Sequence, residues 1–212
     1  MPAAGYLIAE IAGVAEPGAR AALVRRDAPS HAVALLGRDD PLIRRFVTVA
    51  PNLRLTDPDE PPDAIIAVDA APPATGAALV INPPRPPEDW RRGPDLQNVP
   101  LSRAARADHP VMNHVDFAGV AVRRLSPWLA GAGAPQQAVA TVDGGAVILV
   151  ETQPRRVYLA FDTAGTNTNF AANESFVIFM TNVFNFLVPG AAAPTRFESL
   201  SPSAAGSPWT PP

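Results

Sequence analysis

Cysteine is absent from all 212 residues. That single absence removes disulfides, thiolate nucleophiles, CxxC redox chemistry and cysteine-ligated zinc together. It leaves the compartment open, because a chain without disulfides suits cytosol and periplasm alike. Lysine is also missing, so all 17 basic residues are arginine, a bias that a GC-rich genome explains. Charged residues are scarce at 17%, and the net charge of −3 offers no basic footprint for nucleic acid. Long hydrophobic runs are lacking too. The greasiest stretch, Phe176 to Val188, contains Thr181, Asn182 and Asn185 and falls short of the roughly 20 apolar residues that span a bilayer. The opening Met1-Pro2-Ala3-Ala4-Gly5 has no basic region, and Glu10 interrupts the apolar residues after it, so no secretory signal is expected.

Proline is abundant instead, with 26 copies, more than twice the usual share of about 5%. The prolines cluster between apolar runs, where a fixed φ and a missing N–H do little harm. A chain of this length buries roughly 70% of its unfolded surface, enough for a self-supporting core.

Residues 6–14 and 21–25 are short apolar runs around Glu16-Pro17-Gly18, the pattern of a β-hairpin. An α/β rhythm follows. His31 to Leu36 reads as a buried strand. Asp39-Asp40-Pro41 then supplies a helix cap and a first-turn proline for an amphipathic helix over 41–49. Asn52 to Leu55, Asp63 to Asp69 and Ala77 to Asn82 are further strands. Residues 83–108, rich in proline and arginine, read as a long surface connection. Beyond Val115 the pattern turns to β, with strands over 120–122, 137–142, 146–151 and 156–161 and a hairpin turn at Asp143-Gly144-Gly145. The last element is a helix. Phe176, Phe179, Met180, Val183, Phe184 and Leu187 form one stripe, Asn173 precedes it as a cap, and Pro189-Gly190 ends it. The expected organisation is a hairpin over 1–30, read as the remnant of a β-sandwich, an α/β domain over 31–190, and a disordered Pro/Ala/Ser tail over 191–212.

Few residues invite chemistry. The densest group is Asp108, His109, His114 and Asp116, two imidazoles and two carboxylates that could bind a divalent metal or serve a hydrolase. Pro110 prevents a helix from placing both histidines on one face, so loop hydrogen bonds and caps are the better account, and no metal or cofactor is expected. No GxSxG, phosphate loop or GxGxxG after a strand occurs. Gly131-Ala132-Gly133 reads as tight turns, and Asn173-Glu174-Ser175, which fits a glycosylation sequon, reads as a helix cap. The polar run from Asp162 to Asn169 reads either as a ligand loop or as a connection rich in side-chain-to-backbone bonds. A small-ligand site is a further alternative, at Gly37 to Asp40 and Asp69 to Pro72, the usual crevice of open α/β sheets.

Several stretches, in order, resemble the class I glutamine-amidotransferase-like domain of the BatA-like aerotolerance regulator family. They are Leu36 to Leu55, Asp63 to Asp69 with Ala71-Pro72, Leu79 to Pro84, His109-Pro110 with Val115-Asp116-Phe117, and Val157 to Asp162 with the helix carrying Asn182, Phe184, Asn185, Phe186 and Leu187. The likeness spans roughly residues 32–189. Gly165-Thr166-Asn167-Thr168-Asn169 departs from it, where relatives carry Ser-Asp-Leu-Pro, and the family's membrane helices have no counterpart here. The resemblance implies a flavodoxin-like, mostly parallel sheet with a β-rich insertion around 115–160 and no catalytic triad. It also implies a fragment or soluble variant of a bacterial envelope protein. Its partners would be proteins, von Willebrand A-type proteins and a MoxR-type ATPase, with membrane contact only through segments outside this chain. A non-catalytic structural or interaction module is therefore the leading expectation.

Overall fold

A computed structural model describes residues 30–50, 52–57 and 60–189, together with the strands β1 (Tyr6–Ala9) and β2 (Ala21–Val24). β1 and β2 pair antiparallel, as the hairpin reading expects, while the Glu16-Pro17-Gly18 turn lies outside the described residues. So does the tail over 191–212. The hairpin belongs to one compact unit and Ser30–Ala192 to another.

The larger unit opens with β3 (His31–Gly37), α1 (Pro41–Val49), β4 (Leu53–Leu55), β5 (Ala64–Val68) and β6 (Ala77–Ile81). It continues with β7 (Trp90–Arg92), β8 (Leu96–Pro100), β9 (Ala105–Arg106), β10 (Ala121–Leu125) and β11 (Trp128–Ala130). β12 (Gln137–Val142), β13 (Gly145–Thr152), β14 (Arg155–Leu159) and α2 (Glu174–Leu187) complete it. The main sheet runs β4-β3-β5-β6-β14-β13-β11-β7, with β12 and β9 joined alongside β13. It is an α/β fold with a mixed sheet. The pairs from β4 to β14 are parallel, and those from β14 outward are antiparallel. The sheet expected from sequence was mostly parallel; the β-rich stretch in fact extends the parallel half.

One segment differs from the sequence reading. Residues 83–108 are not a bare connection: they carry β7, β8 and β9. Their partners β11, β10 and β12 lie much later in the chain, so no local alternation reveals them. β8 and β10 form a two-stranded sheet of their own.

Local chemistry explains both helices. The Asp40 carboxylate accepts from the N–H groups of Leu42 (3.0 Å) and Ile43 (3.2 Å), and Pro41 opens α1 with a φ already suited to it. Asn173 caps α2 by accepting from Ser175 N–H at 2.9 Å. Leu35, Ile66, Leu79 and Val157 are in register on one face of the parallel half. α2 lies on that side, since Arg155, on the same face as Val157, reaches the Phe186 carbonyl. α1 joins it there through Phe46, whose ring meets Phe176 and Phe184. The opposite face carries Arg156, which donates to the carbonyls of Pro73 and Ala74 in the crossover between β5 and β6. Residues 69–76 thus cover by a proline-containing strap what a helix of a dozen or so residues usually covers.

Phe170 sits where α2, β14 and the loops converge. It is fully buried and its ring meets Phe117, Phe161, Phe176 and Phe179 at centroid distances of 5.4–6.3 Å. Edge-on geometry dominates these contacts, as the ring quadrupoles favour.

Candidate functional site

β3 runs through α1 to β4 on one side, and β5 lies on the other side of β3. Chain direction across the sheet therefore reverses between β3 and β5, and open α/β sheets receive ligands at the carboxyl ends of such strands. Here each neighbouring strand ends in a polar residue: Arg38 after β3, Asp69 after β5, Asn82 after β6 and Asp162 shortly after β14.

Arg38 crosses the switch point. Its Nε donates to Asp69 Oδ2 at 2.5 Å and its NH2 group to Asp162 Oδ1 at 2.5 Å, while Asp40 Oδ2 stands 3.8 Å from NH1. The hydrogen bond to Asp69, with the charges of Asp162, Asp69 and Asp40, raises the guanidinium above the ordinary arginine value against the opposing effect of burial. Asn82 donates to the other Asp69 oxygen at 2.6 Å, and the Thr163 hydroxyl lies 3.4 Å from Asp40. Asp69 and Asn82 both adopt left-handed backbone, φ +52° and +49°, which short polar side chains tolerate best after glycine. Gly37 is required in this turn. Its φ is +85°, and a Cβ there would stand 2.1 Å from the Val68 carbonyl oxygen. The crevice is thus occupied by the chain's own ion pairs.

The histidine and aspartate group at 108–116 is dispersed in role. His109 Nδ1 accepts from Val111 N–H at 3.2 Å and so caps a short 3-10 turn, Pro110–Met112. The ring stands edge-on to Phe186 at 5.5 Å, and burial lowers its pKa. His114 is exposed with φ +58°. Asp116 accepts from Ala118 N–H at 3.0 Å and lies 4.0 Å from Arg106, and Asp108 is exposed. Among the described residues no three histidine or acidic side chains gather where they could hold a metal. His31 pairs at 3.5 Å with Asp63, the carboxylate that also accepts from Ala32 N–H.

The polar run from 162 to 169 is largely spent on the backbone. The Asn167 side chain accepts from Arg124 N–H at 3.0 Å and donates to the Arg124 carbonyl. Asn169 does the same for Ala121 N–H and the Gly119 carbonyl, and Thr168 donates to Ala121. These residues stitch β10 to the body of the unit. Asn173 likewise spends its amide on Ser175 and Ala118, and Gly131 N–H donates to the Asp89 carbonyl at 2.6 Å, continuing the antiparallel pairing of β11 with β7.

Sequence reasoning pointed to Gly37 to Asp40 with Asp69 to Pro72, and separately to the run beginning at Asp162, but missed Asn82 and the way Arg38 joins Asp69 to Asp162. The available signal was a small polar residue directly after an apolar strand, repeated at Asp69 and Asn82. A second set also went unread. Glu151 and Arg156 face each other on β13 and β14, and the Tyr158 hydroxyl donates to Glu151 at 2.9 Å. Burial is the main cause that pushes the Tyr158 phenol up to about 12.

No protein-family model matches the chain, and no curated protein matches it.

Proposed function

We propose that this chain is a non-catalytic protein-interaction module on a flavodoxin-like, class I glutamine-amidotransferase-like scaffold, of the kind that BatA-like aerotolerance proteins hold at the bacterial cell envelope. One observation carries the reading. The crevice at the strand switch point, where such a scaffold would work on a ligand, holds Arg38 bound to Asp69 and Asp162. A guanidinium clasped by two carboxylates offers no nucleophile and no free base, and the strand ends it joins are held together rather than left open. The resemblance over residues 32–189 supports the same assignment, as does the absence of cysteine for an amidotransferase-type attack. No helix among the described residues is long and apolar enough to cross a membrane, so envelope attachment on this reading comes through other segments or partners.

The test is direct titration of the purified chain with a soluble von Willebrand A-type domain and a MoxR-type ATPase from the same genome, read by calorimetry. A saturable complex with either is expected, with no glutamine hydrolysis by the chain alone. Heat-free titrations with both partners, or ammonia release that Arg38→Met abolishes, would overturn the proposal.

A further inference from the structure

Away from the crevice, an open groove of about 590 Å³ lies beside the start of β14, within the range of peptide- and ligand-sized sites. The last turns of α2 form one wall with Asn182, Asn185 and Phe186, and the β13–β14 turn forms the other with Gln153 and Arg155. Asn182 is spent. Its amide donates to the carbonyls of Val111 (3.3 Å) and Asn113 (2.7 Å), which fixes the floor. Gln153 and Asn185 are exposed, and their side chains make no hydrogen bond among the described residues. Each presents one acceptor and two donors, the complement of a peptide group.

Charge selects further. Arg155 is the ionised side chain of the groove lining, and no carboxylate lines it. Among the described residues it forms no ion pair, in contrast to Arg38, Arg44, Arg54, Arg106 and Arg156. One NH1 bond to the Phe186 carbonyl at 3.2 Å and a position 6.0 Å above the Phe186 ring hold the guanidinium, leaving further donors of its fork for a carboxylate. The same contacts argue against a sugar. Arg155 covers one face of Phe186 and His109 stands edge-on to the ring, so the aromatic platform a glycan would stack on is already used.

We propose that this groove receives an extended segment of a partner protein, held through its main chain by Gln153 and Asn185 and through an aspartate or glutamate by Arg155. The inference rests on the protein-interaction reading and names its surface. It is tested on the ¹⁵N-labelled full chain with two pools of end-blocked hexapeptides, one carrying a single aspartate and the other asparagine in its place. The side-chain amide resonances of Asn185 and Gln153 should shift, and the aspartate pool should bind about tenfold more tightly, as one charge-assisted bond allows. Arg155→Met should erase that preference, and Asn185→Ala should weaken both pools alike; both residues are exposed, and thermal melts check that the variants remain folded. Equal response to the two pools, shifts confined to other residues, or shifts produced by a chito-oligosaccharide and not by peptides would overturn the assignment. If the partner complex forms as tightly with Arg155→Met and Asn185→Ala as with the unaltered chain, the groove assignment falls while the interaction reading stands. If the peptides bind in the groove and neither partner forms a complex, the partner assignment falls instead.

Discussion

Replacing Arg38 by methionine keeps most of the side chain's length and removes its charge, so it isolates the tie across the strand ends. Two hydrogen bonds of 2.5 Å to carboxylates are lost. In a buried setting each would contribute about 1.5–3 kcal/mol. The Arg38 side chain is 37% exposed, however, and exposed ion pairs contribute only about 0–1 kcal/mol because water screens them. Asp40 is 5% exposed and would lose its nearest cation, which lifts the expected loss above that interval and toward the buried range. The expected loss is about 1–2 kcal/mol, or a Tm lower by roughly 3–6 °C for a unit of this size. Differential scanning calorimetry at low salt measures it. The effect should shrink at about 1 M salt, where the Debye length is about 3 Å. Arg38→Met and Asp69→Asn should also combine less than additively, because they delete the same contact. A variant as stable as the original, or more stable, would refute the reasoning. That outcome would mean that Arg38 is held in the crevice against stability, as working residues often are, and would return the crevice to the list of active sites.

His109 links stability to pH. Its folded-state pKa lies below the unfolded value of about 6.5 because burial disfavours the cation, and its Nδ1 must be neutral to accept from Val111. Protonation therefore favours the unfolded chain. The contribution is present above about pH 6.5 and is lost as the pH falls through the folded value. His109→Asn keeps a capping acceptor without a titrating group, so its stability should decline less than the original's from about pH 6.5 to 5; parallel profiles in urea titrations would count against this cause. Phe170→Ala removes the ring around which four others are arranged and should cost about 3–5 kcal/mol, with Phe170→Leu costing far less. A loss under about 1 kcal/mol in chemical denaturation would show that the aromatic cluster can close over the gap.

How much of this was legible in the residues varies by element. α1 could be read to its ends, 41–49, because a capping aspartate, a first-turn proline and an amphipathic spacing all act within a few residues. α2 was legible from its phenylalanine stripe and Asn173. Strands β5, β6, β12 and β13 announced themselves by apolar runs and by the turn at Gly144. β7, β8, β9 and β11 did not, since β7, β9 and β11 are only two or three residues long, β8 has no continuous apolar run, and all four draw their stability from partners elsewhere. The candidate metal ligands stood close in sequence, yet His109 turned inward to cap a turn and His114 outward to solvent.

By themselves, then, the residues determined the helices with their caps, the apolar centre of the sheet, and the lack of thiol chemistry. These follow from propensity, spacing and composition, which act locally or over the whole chain. Tertiary structure alone decided that the sheet changes from parallel to antiparallel at β14, that Arg38 meets Asp162 across 124 residues of sequence, and that Phe170 lies at an aromatic centre. Each of those depends on which distant segments come together, and that is settled by the packing of the whole core, to which no single stretch of sequence holds the answer.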